Sequence, residues 1–156
     1  MPNRLPGIVL AGLLLVFVGC VCLWAATGWQ QSNYPVTIAT HFTGRGQGLT
    51  GSTVMVLNHD GAATIRAAAS SGGSEVLKSA SNDSLTTSYM LTGAVLGATA
   101  DTDWVSSSAF IDAGRSYSVQ GTGPSKITLS LRGVSRSDRA VDAGTYNASI
   151  ILTVSW

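Results

Sequence analysis

From Tyr146 to Trp156 the apolar side chains fall on every second position: Tyr146, Ala148, Ile150, Leu152, Val154 and Trp156. The intervening positions, Asn147, Ser149, Ile151, Thr153 and Ser155, are polar except for Ile151. Side chains of an extended chain alternate between two faces, whereas an amphipathic helix returns its apolar positions every three or four residues. Residues 146–156 therefore read as one half-buried strand of about eleven residues, roughly twice the usual length. A turn at Asp142, Ala143 and Gly144 leads into it. Such a strand must be covered on its apolar face and paired along both edges, because unpaired edge N–H and C=O groups recruit other strands. No segment of this chain follows to supply that pairing, so partners are expected from upstream or from a second molecule.

The remaining composition points the same way. Only 11% of residues are charged and 18 are glycine, a mixture that suits a many-turned all-β domain better than helices. At 156 residues the chain holds one domain and an accessory segment. Nine Lys or Arg oppose eight Asp or Glu, with no basic stripe. A nucleic-acid partner is therefore not expected. Both cysteines, Cys20 and Cys22, lie in the N-terminal apolar run, so no disulfide or thiolate metal site is expected downstream.

That run, residues 7–26, is twenty uncharged positions behind a short head containing Arg4. As a helix it would reach across a bilayer. Residues 1–28 read as a signal peptide, cut after Ala26, Thr27 and Gly28, or as a retained membrane anchor. A lipoprotein cut at Cys20 fits less well, because Phe17 is bulky and the apolar run continues past the cysteine. Arg4 leads the run and no further Lys or Arg occurs until Arg45, which places residues 29–156 outside the cytoplasm. The expected location is the cell surface or periplasm, with the membrane as a partner through residues 7–26 if they are kept.

Strands are expected at 34–40, 52–57, 63–69, 85–91, 116–119 and 126–131, before the final one. Asn58, His59, Asp60 and Gly61 between two such runs predict a hairpin, with Gly61 at positive φ. The glycine-rich stretch 44–51 is read as a loop, since no Lys-Ser or Lys-Thr follows to make a phosphate cradle. Residues 93–100 are read as a loop, Trp104 as a plug for one end of the core, and 132–138 as another loop. No helix is expected after residue 28. About seven short strands at these intervals make an antiparallel sandwich.

Chemistry finds little support. His41 and His59 lack a second His at ligand spacing and read as surface or turn residues. Asp101 and Asp103 lack the further oxygens of a calcium loop and read as turn caps. Ser106, Ser107 and Ser108 have no nucleophile context. Trp104, Tyr117 and Tyr89 read as core and rim packing before a sugar-binding face. No catalytic residue, cofactor or metal is expected.

Two stretches resemble the spore coat protein U and archaic chaperone–usher fimbrial subunit family of secreted β-sandwiches. One is Asp142-Ala143-Gly144-Thr145-Tyr146 with the alternating strand and its terminal aromatic. The other is residues 54–72, a strand, an Asn/Gly turn, a strand and a Ser-Gly loop. The likeness spans residues 52–156, although the cysteines that family carries early in its mature domain are absent here. It implies an immunoglobulin-like antiparallel β-sandwich lacking its last strand, whose gap is filled by a periplasmic chaperone and then by the N-terminal arm of another subunit. The implied role is a structural, pilin-like subunit of a surface fibre or coat, with other copies of itself or related subunits as partners. Residues 29–40 are placed to be the donor, with Tyr34, Val36 and Ile38 as plugs. Tyr146, Ile150, Leu152, Val154 and Trp156 would form the receiving wall. The other expectation is a membrane-anchored extracytoplasmic binding or adhesion module that meets ligands through its loops.

Overall fold

The computed structural model describes residues 27–36, 46–138, 141 and 145–156. The apolar run 7–26, both cysteines, Ile38, His41 and the turn at 142–144 lie outside the described residues. Among those described, no helix is long and apolar enough to cross a membrane.

The strands are β1 (Gly28–Trp29), β2 (Gly48–His59), β3 (Ala63–Ala69), β4 (Lys78–Ser79), β5 (Thr86–Thr92), β6 (Val105–Ser106), β7 (Tyr117–Val119), β8 (Gly123–Val134), β9 (Tyr146–Asn147) and β10 (Ile150–Ser155). The larger sheet has the order β1-β2-β8-β5-β6, the smaller β10-β3-β7, and β4 pairs with β9. Every pairing is antiparallel. Met55, Leu91 and Ile127 of the larger sheet and Ile65, Tyr117 and Val119 of the smaller belong to one buried cluster. The protein is thus all-β and sandwich-like, with two sheets closing on a shared core. Each aliphatic side chain placed there contributes about 1.5–3 kcal/mol.

The spine is the twelve-residue ladder between β2 and β8, from Gly48 opposite Val134 to His59 opposite Gly123. It absorbs Gly48 to Gly51, expected as loop, and Arg132 to Val134, expected as loop on the other side. Each stretch has weak strand propensity, yet each is the other's partner, and pairing overrides propensity. Gly133 is needed there for a different reason. A Cβ at that position would lie 2.7 Å from Leu77 Cδ1 and 3.1 Å from Leu85 Cδ1, so its bare backbone lets two core leucines lie against β8.

The predicted hairpin at 58–61 is a crossing between sheets. β2 belongs to the larger sheet and β3 to the smaller, and they do not pair. Gly61 is not at positive φ. His59, expected at the surface or in a turn, is buried at the end of β2. Its Nδ1–H donates to the Gly61 carbonyl at 2.9 Å, and its Nε2 lies 2.8 Å from the Ser125 hydroxyl. The imidazole thereby ties the crossing to β8.

Two helical pieces correct the expectation of none. Residues Ala94–Thr99 form a kinked 3-10 segment that buries Leu96. Residues Ser107–Phe110 form α1, a single turn whose Ala109 N–H donates to the Ser106 hydroxyl. Phe110 is fully buried, stacked on Tyr89 with centroids 4.9 Å apart and tilted against Tyr117 at 6.0 Å. Phe110, not Trp104, plugs this end of the core. Trp104 is half-buried beside the Arg132 guanidinium, 5.9 Å from its ring centre.

The final strand is also shorter than expected. Its alternation is real, but Ala148 and Ser149 interrupt it. Tyr146 pairs with Ser79, whereas Ile150 to Ser155 pair with Ala69 to Thr64. One apolar stripe therefore serves two sheets. Tyr34, Pro35 and Val36 are outside any strand, and the remainder of that expected strand, 37–40, lies outside the described residues.

Candidate docking groove

Among the described residues, β10 is the outermost strand of the smaller sheet and pairs on one edge only, with β3. In the larger sheet β1 covers the outer edge of β2 at Leu57 and Asn58, and the Gln30 N–H extends that cover to the Val56 carbonyl. Between these two edges, among the described residues, runs a groove of about 590 Å³ that opens into the core. Its floor is Met55, Leu129 and Leu131 from the larger sheet, with Leu77, Leu85 and Tyr89. One wall is Tyr146, Ala148, Ile150 and Leu152, and the other rim is Trp29 with residues 31–36.

Five of the eight residues expected to bind a partner meet here: Tyr34, Val36, Tyr146, Ile150 and Leu152. Val154 packs partly buried against the core without lining the groove. Trp156 is 67% exposed, since the ladder to β3 ends one residue earlier, at Ser155 opposite Thr64. Ile38 lies outside the described residues. The floor was not anticipated as part of a site. Met55, Leu129 and Leu131 look in sequence like any inward positions of a sandwich strand; they are buried, and only the tertiary fold places them along the groove.

The rim is fastened by two aromatic residues. The Trp29 indole N–H donates to the Leu152 carbonyl at 2.9 Å. The Tyr34 hydroxyl donates to the Val56 carbonyl at 3.3 Å and accepts from the Val56 N–H at 3.4 Å and the Gln31 N–H at 3.0 Å. The two rings meet edge to face at 6.2 Å. Trp29 thus reaches from the β2 side of the groove to β10.

A polar constellation joins β5 and β7. Asp101 is buried, and its Oδ2 accepts from the Leu91 N–H at 2.7 Å and the Tyr117 hydroxyl at 2.8 Å. Its Oδ1 is paired with the Arg115 guanidinium, whose Nε–H donates to the Tyr117 hydroxyl at 2.8 Å. The carboxylate is consumed in joining β5, the segment after Ala100 and β7. Asp103 caps the next turn by accepting from the Trp104 N–H at 2.7 Å. Among the described residues no three His, Cys, Asp or Glu side chains come together to hold a metal.

Burial pushes the Tyr89 and Tyr117 phenols well above their ordinary value, with the Glu75 charge adding at Tyr89 and Asp101 adding at Tyr117. Tyr89 is also held by donating to the Glu75 carbonyl at 2.8 Å. An unfolded tyrosine ionises near pH 10, so above that pH the native state binds more protons than the unfolded chain. The stability these residues contribute is complete below about pH 10 and is lost as pH rises towards the native values. Urea midpoints should hold between about pH 8 and 9.5 and fall beyond about pH 10, with a shallower fall in Tyr117→Phe. A flat profile through that window would contradict the buried, protonated state of both phenols.

Comparison with protein-family models, curated proteins and solved structures returns no match to this chain.

Proposed function

We propose that the chain is an exported structural subunit of a surface fibre or coat, an immunoglobulin-like β-sandwich completed by a strand added from another copy or a related subunit. The observation that supports this is the apolar groove between the open edges of β10 and β2. An extended segment laid along β10 would satisfy main-chain groups on that edge and send alternate side chains onto Met55, Leu129 and Leu131. Strand addition explains why an apolar groove lies beside the core of the sandwich. In this reading a neighbour's residues 29–40, with Tyr34, Val36 and Ile38 at alternate positions, are the donor, and a periplasmic chaperone holds the groove beforehand. Residues 7–26 direct export.

The test is the state of the protein on the cells that make it. Material sheared from the surface should run on denaturing gels as a ladder of multimers when unboiled and collapse to monomer on boiling. Recovery as monomer in membranes under both conditions would overturn the fibre reading in favour of an anchored binding module.

A further inference from the structure

We propose that residues 29–36 form a strap that gates the groove in cis, so that an incoming strand must first release it. The inference rests on the strand-addition reading above. It comes from where the strap's bonds fall. The Val56 carbonyl, on the edge of β2, accepts from the Gln30 N–H at 2.9 Å and from the Tyr34 hydroxyl, which also takes the Val56 N–H. The Leu152 carbonyl of β10 is taken by Trp29. These are main-chain groups on the two strands that border the groove, and a strand docked there would compete for them. The strap thus closes the β10 border with an indole and the β2 border with a phenol and a single backbone N–H, where an added strand would use backbone throughout.

It is also built to let go. Between its two anchoring rings, Gln30, Gln31, Ser32 and Asn33 are all exposed, so that stretch contributes little apolar burial. A segment held by few buried contacts opens at low cost relative to the whole fold. Bonds made by a phenol, an indole and one backbone N–H to edge carbonyls blunt the edge, and a full strand with a continuous apolar face outcompetes them. The groove is accordingly protected from casual pairing in the isolated chain and available to a strand that brings enough apolar surface.

The experiment follows uptake of a fluorophore-labelled synthetic peptide with the sequence of residues 29–40 by the purified full chain, by anisotropy, with Val56 amide exchange measured alongside. Tyr34→Phe keeps the ring and removes the hydroxyl. With a net contribution of about 1 kcal/mol per hydrogen bond, it should speed uptake on the order of tenfold, and Trp29→Phe should do so several-fold. The Val56 amide should be protected in the wild type and lose protection in Tyr34→Phe. Equal uptake rates in wild type and both variants would overturn the strap while leaving strand addition standing, as would an unprotected Val56 amide in the wild type, a measurement that needs no variant to fold. Failure of every chain to take up the peptide would remove strand addition, and the strap with it.

Discussion

Phe110→Ala should lower stability by about 3–5 kcal/mol, the largest loss expected from a single apolar truncation in this chain. The ring is fully buried, stacks on Tyr89 and tilts against Tyr117. Its removal forfeits transfer free energy, leaves a cavity and ends two aromatic contacts, each worth about 0.5–1.5 kcal/mol beyond burial. Partial collapse is hindered because α1 is one turn long, fixed by the Ser106 cap, and cannot slide inward without dragging β6. For a domain of this size the loss corresponds to a melting temperature lower by about 6–20 °C. Thermal and urea denaturation monitored by circular dichroism would measure it. A loss below about 1 kcal/mol would mean that Phe110 is not the plug of this end. Trp104→Ala, by contrast, removes a half-buried ring packed on Arg132, and should cost less.

Asp101→Ala should cost about 3–5 kcal/mol, the range for removing one partner of a buried charge pair. The Leu91 N–H and the Tyr117 hydroxyl would be left without their acceptor, at about 1–3 kcal/mol for each buried group. Arg115 softens the effect, because about 33% of its side chain is exposed and water can reach it. Asp101→Asn separates charge from acceptor. The amide oxygen can still take the Leu91 N–H, so this variant should retain much of the stability and lose mainly the Arg115 pairing. The urea midpoints of the two variants, compared with Arg115→Met, decide the matter. If Asp101→Ala and Asp101→Asn are equally mild, the carboxylate is not the junction of β5 and β7.

Different parts of the fold were legible to different degrees. β3 was readable to the residue, because Ala63, Ile65 and Ala67 alternate between clear turns. The centres of β2, β5 and β8 were readable for the same reason. Their ends were not, since Gly48, Gly51 and Gly133 carry no strand signal and enter the ladder because of what lies opposite them. The 58–61 segment misled because Asn, Asp and Gly encode a reversal of direction without saying whether the chain returns beside itself or onto the other sheet. His59 looked like an ordinary turn residue, and its burial depends on Ser125, far away in sequence. Phe110 was invisible because one helical turn is too short to show a period. Within the groove, the wall at Tyr146, Ile150 and Leu152 was legible from alternation, and the floor was not.

What the residues determined alone is local. Alternating side chains, the run of uncharged positions and the even balance of charge follow from a backbone that sees only its near neighbours, and they suffice for a β domain behind an apolar run of twenty residues. Which strands share a sheet, where the chain crosses the core and which side of the sandwich stays open were decided by tertiary structure. Pairing and burial join residues far apart in sequence, and a single buried ring, a glycine under two leucines or a carboxylate between two strands selects among arrangements that local preference leaves equal.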